Sequence, residues 1–172
     1  MKKIPPILFL LLLVTNTSAC QPTLRQNESI VLATSTQNSV EVSISMQRDE
    51  NDRLTLSATF TPQDPSLHLY SKDIPKDGVA GLGRPALLEI PNDSTIKVIG
   101  ELTENISAQL PDSGPEELLI YPAGSVTLSL PVELTTARSR TETVYVTYMA
   151  CNQQGCRPPV ENKAIEIKLP KY

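Results

Sequence analysis

From Val40 onward, apolar and polar residues alternate with a period of two. Val40, Val42, Ile44 and Met46 fall on one face, residues 49–53 read as a turn, and Leu54, Leu56, Ala58 and Phe60 face the same way on the return. Side chains alternate between the two faces of a strand, so this pattern predicts a hairpin with one buried face. A short segment, residues 67–70, follows, and then a long loop carrying Pro75, Gly78, Gly81, Gly83 and Pro85. Residues 86–90 and 95–99 are strand candidates, residues 107–115 are polar and loop-like, and they lead to residues 117–121. Val126, Leu128, Leu130, Val132 and Leu134 form the longest alternation, and residues 141–150 and 163–169 complete the set. No window carries a 3.6-residue period. About eight short strands with turn signals between them predict an all-β chain, an antiparallel β-sandwich of roughly 130 residues spanning positions 39–172. That length buries one core and is too short for two domains.

The N-terminus has a different character. Lys2 and Lys3 open it, residues 7–14 are uninterruptedly apolar, and residues 15–19 turn small and polar before Cys20. A membrane span needs about 20 apolar residues, so positions 1–19 read as a cleaved export signal. Small residues directly ahead of a cysteine resemble the lipobox of bacterial lipoproteins, where the cysteine becomes the lipid-bearing first residue. Thr17 stands where leucine is usual there. The alternative is ordinary cleavage after Ala19. Residues 20–38, polar and rich in Ser, Thr and Gln, read as a flexible tether, within which residues 30–33 are at most an edge strand.

Charge narrows the partners. Of 15 Lys and Arg residues two lie in the leader, so 13 face 19 Asp and Glu, a net charge of −6 for the mature chain. With no basic block, no Trp and little aromatic surface, the composition argues against nucleic acid as a partner.

The chemistry concentrates in residues 144–160, V-Y-V-T-Y-M-A-C-N-Q-Q-G-C-R-P-P-V. An alternating strand runs into Cys151, four turn-forming residues follow, and Cys156 opens a return stopped by Pro158 and Pro159. Residues flanking such a loop sit opposite each other with Cα atoms about 4.5–5.5 Å apart, which a disulfide can bridge. The two thiols are thus placed where they can open and close reversibly at an exposed tip. A bridge closing so short a loop stabilises by roughly 2 kcal/mol at most, which favours redox chemistry over a structural staple without removing the latter. Pairing Cys151 with Cys156 leaves Cys20 odd, and lipidation would remove that exposed thiol. A disulfide can persist in an oxidising compartment, and with the export signal the expected location is the periplasm or cell envelope.

The segment V-T-Y-M-A-C-N-Q-Q-G-C-R-P-P-V resembles the signature of the periplasmic N-terminal domain of DsbD, the thiol:disulfide interchange protein. The Leu67-His68-Leu69-Tyr70 segment, the Gly/Pro loop 78–85 and the strand ending in Leu130-Pro131-Val132 are similar to family features as well. The resemblance implies an immunoglobulin-like domain that carries electrons by thiol–disulfide exchange, without a cofactor. The implied electron source is a thioredoxin-like domain of a membrane reductase, and the implied clients are exported proteins with disulfides. Cys151 and Cys156 match the redox pair, Cys156 being the one expected to form mixed disulfides. Family members cover the pair with a cap loop. The matching region is residues 112–121, with Leu118, Leu119, Ile120 and Tyr121 as candidate shields, although Glu116-Glu117 is followed by Leu118-Leu119 where the family has Phe-Tyr. Full-length DsbD continues into membrane helices and a thioredoxin-like domain, whereas this chain stops at Tyr172, so its electron source is expected in another protein. Arg157 follows Cys156 where an aromatic or aliphatic residue is common, and a cation there favours a thiolate.

Rival chemistries are thinner. Zinc normally takes four ligands, and the mature chain offers this cysteine pair and His68, far away in sequence. His68 reads as a structural or exposed histidine beside Tyr70 rather than a base. A copper accessory role would use Cys151, Cys156 and Met149 as soft donors. A non-catalytic adaptor with a structural hairpin disulfide remains the main alternative to the relay.

Overall fold

The computed structural model describes residues 24–112, 114–136, 138 and 140–171. The expected leader and Cys20 lie outside these residues. The described chain is an all-β antiparallel sandwich whose elements follow the alternation in the sequence. Strand β1 (Glu28–Gln37) passes through Asn38 and Ser39 into β2 (Val40–Arg48), which returns as β3 (Leu54–Pro62). Asn38 and Ser39 have φ of 50° and 63°, and a two-residue turn with both central residues in that region matches the twist of the strands it joins. The wider turn after β2 is closed by Asp49, whose carboxylate accepts the backbone N–H groups of Asn51 at 2.8 Å and Arg53 at 2.9 Å.

Short strands follow: β4 (His68–Leu69), β5 (Leu87–Glu89), β6 (Ile96–Val98) and β7 (Thr103–Glu104). The long strands β8 (Val126–Leu134) and β9 (Arg140–Tyr148) lead to β10 (Ala150–Asn152), β11 (Gly155–Cys156) and β12 (Val160–Leu169). One layer runs β1-β2-β3-β8, with β6 and β7 paired along the far edge of β8. The other layer is built on a single long hairpin. Its outgoing arm is β9 and β10, its returning arm β11 and β12, and β5 and β4 pair with the outgoing arm.

Alternation is what places the core. Val42, Ile44, Leu56, Phe60 and Leu128 of the first layer are buried against Val144, Val146, Tyr148 and Ile167 of the second. The Phe60 and Tyr148 rings meet edge-on across the layers, centroids 5.5 Å apart, a geometry that adds about 0.5–1.5 kcal/mol to the area buried. The Tyr148 hydroxyl donates to the Gln37 carbonyl at 3.0 Å, and burial pushes its pKa up to about 12. On the outer face of the first layer, Ser57 meets Ser129 and Thr59 meets Thr127 in hydroxyl hydrogen bonds of 3.0 and 2.9 Å.

The structure corrects the expected tether. Residues 28–37 are a full strand of the first layer, and Leu24 is buried in the core. A β-bulge between Val31 and Ala33 resets the alternation, so Ile30, Leu32 and Ala33 all lean on the core. A bulge hides the period-two signal, and the polar residues around it are those an edge strand needs to discourage further pairing. We expect Leu24→Ala to lower unfolding stability by about 2–5 kcal/mol, read as a shift of the urea midpoint. An unchanged midpoint would mean that this segment behaves as tether.

Candidate redox site at the hairpin tip

The parity of the outgoing arm decides where each cysteine points. Tyr148 and Ala150 face the core, so their neighbour Cys151 points out of the opposite side of its layer. Across the ladder, Ala150 is opposite Leu69 and Cys151 is opposite His68. Leu69 is core, like Ala150, whereas His68 and Tyr70 share the outward face with Cys151. That face is covered. Tyr70, Ile74, Leu118 and Cys151 form a second apolar cluster, with Val79, Leu119, Ile120 and Met149 packed around it.

Cys151 and Cys156 are direct partners in the hairpin register and are joined by a disulfide, their Cα atoms 4.0 Å apart. Asn152 and Gly155 also pair, so the loop proper is Gln153-Gln154, shorter than the four-residue loop expected. Gly155 has φ of 144°, a backbone that a residue with a Cβ adopts only under strain. The two sulfurs are not equivalent. Cys151 is 2% exposed, while Cys156 lies at the surface. The pair is therefore half hidden rather than wholly exposed at a tip. Arg157 donates its backbone N–H to the Ala150 carbonyl at 2.8 Å, fixing the chain beyond Cys156 to the same hairpin.

A cleft of about 360 Å³ opens beside the disulfide, lined by His68, Tyr70, Asp112, Leu118, Ile120 and both cysteines among others. The Tyr70 hydroxyl donates to Cys151 Sγ at 3.1 Å and lies 3.9 Å from Cys156 Sγ. Burial pushes the Tyr70 pKa up, so the hydroxyl keeps its proton and remains a donor. The His68 ring stands edge-on to Tyr70 with centroids 5.6 Å apart. Burial pushes its pKa below 6.5, with the Asp112 carboxylate pulling the other way. His68 is therefore neutral near pH 7.

The four candidate shields divide. Leu118 is buried in the cluster with Cys151, and Leu119 and Ile120 pack beside it. Tyr121 is not over the disulfide: it is fully buried in the main core, and its hydroxyl accepts the Lys72 backbone N–H at 3.1 Å. The segment is stitched to the strand β4 region, because Ser71 N–H reaches the Leu119 carbonyl at 2.9 Å and Tyr121 N–H the Leu69 carbonyl at 2.8 Å. Gly83 backs it from the Gly/Pro loop. A Cβ there would meet Leu118 Cδ1 at 2.9 Å and Tyr70 Cδ1 at 3.1 Å, so both side chains would have to shift, and the φ of 75° strains any residue but glycine.

His68 and Tyr70 are the residues that sequence reasoning undervalued. The alternation Leu67-His68-Leu69-Tyr70 places both on one face, but only the fold shows which strand that face meets. Among the described residues there is no group of three or more His, Cys, Asp and Glu arranged to hold a metal ion. No family model, no curated protein and no solved structure matches the chain. What fold and site define together is an all-β domain with an asymmetric hairpin disulfide set in a covered cleft.

Two outcomes follow from the asymmetry. After reduction, iodoacetamide should modify Cys156 at least about tenfold faster than Cys151, read by peptide mass spectrometry, and equal rates would contradict the burial. Tyr70→Phe removes a hydrogen bond worth about 1.5–3 kcal/mol to a charged acceptor. It should slow thiolate attack on Cys156, with Cys151 leaving, by roughly tenfold. An unchanged rate would show that the hydroxyl does not act on the leaving sulfur.

Proposed function

We propose that this domain is a thiol–disulfide exchange module, akin to the N-terminal domain of DsbD and immunoglobulin-like in its finer topology. The observation that carries the reading is the unequal burial of one disulfide. Cys156 is open to an attacking thiolate, and Cys151 is held under Tyr70 and Leu118 as the sulfur that leaves and returns. Exchange needs access to one sulfur and a stabilised departure for the other, and an exposed Cys156 beside a hydrogen-bonded Cys151 offers both. The bridge also closes a turn that the hairpin ladder already holds, so stabilisation alone accounts poorly for it.

In the full proposal, the module is exported by the leader at positions 1–19 and anchored to a membrane through lipid on Cys20. It works in the periplasm or cell envelope. A thioredoxin-like domain of a membrane reductase attacks Cys156 and leaves the pair as a dithiol. The Cys156 thiolate then attacks a disulfide of an exported client, and Cys151 resolves the mixed disulfide. Two electrons and two protons pass from donor to client, and no cofactor takes part.

The test is the reduction potential of the pair, measured in a glutathione series on the chain carrying Cys20→Ser. A value between about −180 and −270 mV is expected, the range of exchange proteins. A bond that stays oxidised below about −300 mV would mark a structural staple and an adaptor protein instead.

A further inference from the structure

We propose that His68 is the proton acceptor for Cys151 when the reduced module resolves a mixed disulfide. The inference rests on the exchange reading above and assigns a role to a residue outside the cysteine pair. His68 is directly opposite Cys151 in the β4–β10 register, and facing side chains on one side of a sheet have Cβ atoms about 4.5–5.5 Å apart. Both line the same cleft, and His68 stacks edge-on against the tyrosine whose hydroxyl reaches Cys151 Sγ. The titratable groups that face His68 are Tyr70 just beyond its own strand, Cys151 and Cys156 on the hairpin, and Asp112 on the covering loop. Asp64 and Arg157 lie in the adjoining groove on the other side of Cys156. The cleft thus holds one group that is neutral and basic near pH 7, and it sits beside the buried sulfur.

The step balances. In the mixed disulfide, Cys156 is joined to the client sulfur and Cys151 is a buried thiol. The Cys151 S–H proton passes to the His68 imidazole, and the resulting thiolate attacks Cys156 Sγ. The Cys151–Cys156 bond forms as the Cys156–client bond breaks. The client sulfur leaves with the electron pair and takes up a proton from the imidazolium or from water. A buried thiol has little access to bulk base, so an internal acceptor matters more for Cys151 than for exposed Cys156.

Dithiobis(nitrobenzoate) separates the two events, because attack by Cys156 and resolution by Cys151 each release one coloured thiolate. The reaction is followed on the reduced full chain carrying Cys20→Ser. With His68 as acceptor, the second phase should stay nearly flat down to about pH 6.5 and fall below it, as the histidine protonates. In His68→Gln, the second phase should be at least about tenfold slower at pH 7 and fall about tenfold per pH unit, following the thiolate fraction alone. The first phase should be unchanged, and an unaltered urea midpoint shows separately that the variant is folded. His68→Phe keeps a ring against Tyr70 but accepts no proton, and it should lose the second phase as His68→Gln does. A wild-type second phase in either variant overturns the proposal, and so does an equal slowing of both phases, which would indicate a packing role. This reagent oxidises a dithiol whatever its potential, so failure here is distinct from failure of the exchange reading. The chain has a single histidine, so an inflection near its pKa has one source.

Discussion

Everything at the site depends on the burial of one strand face. Strand β9 must turn Val144, Val146 and Tyr148 inward to complete the core, with Tyr148 wedged edge-on against Phe60. Once that phase is set, the ladder carries it through Ala150, and Cys151 has to emerge on the other side of the layer. A one-residue slip would turn the whole set over, placing the cysteine in the sandwich core and Ala150 in the cleft. The position of the buried Cys151 sulfur is therefore enforced by core packing about three residues away. It does not need a dedicated local device.

The outward face would ordinarily be wet. Here it is covered by a second cluster, assembled from three parts of the chain that are distant in sequence: Tyr70 and Ile74, the Leu118–Ile120 region, and the Gly/Pro loop bearing Gly83. The loop is itself held down. Arg84 donates to the Gly83 carbonyl at 2.6 Å and to the Asp77 carbonyl at 3.1 Å, and its guanidinium pairs with Glu161 on β12. The cover shields Cys151 and stops short of Cys156. Selective access to one sulfur, a polar donor on the other and a neutral histidine at the cleft wall then follow from the same packing.

Much of this was legible beforehand, for definite reasons. The strands β2, β3 and β8 announce themselves because each buries one clean face, and the Cys151–Cys156 partnership follows from loop length and hairpin geometry. The sequence shows no more of strand β1 than a short edge segment at residues 30–33, because the bulge near Leu32 breaks its alternation and its outer residues are polar. The two-residue strands β4, β7 and β11 are too short to show any period. The loss of solvent at Cys151 was invisible for another reason: burial on an outer face depends on which distant loop lies across it. His68 illustrates the point. Nothing in Leu67-His68-Leu69-Tyr70 says that the strand will lie opposite Cys151, some eighty residues further along the chain. Tyr121 shows the reverse error, since its place beside Leu118–Ile120 in the sequence suggested a shield, whereas alternation sends it into the core.

The central claim is that the pair cycles between disulfide and dithiol, and the redox state of the protein in its own cells tests it most directly. Cells would be quenched in acid, the free thiols tagged with a bulky maleimide, and the chain resolved by gel shift. The account predicts a standing population with Cys151 and Cys156 both reduced, and in Cys151→Ala a ladder of covalent adducts that collapses on treatment with a reductant. A pair found wholly oxidised, with no adducts in the variant, would contradict it and leave a structural disulfide in a β-sandwich.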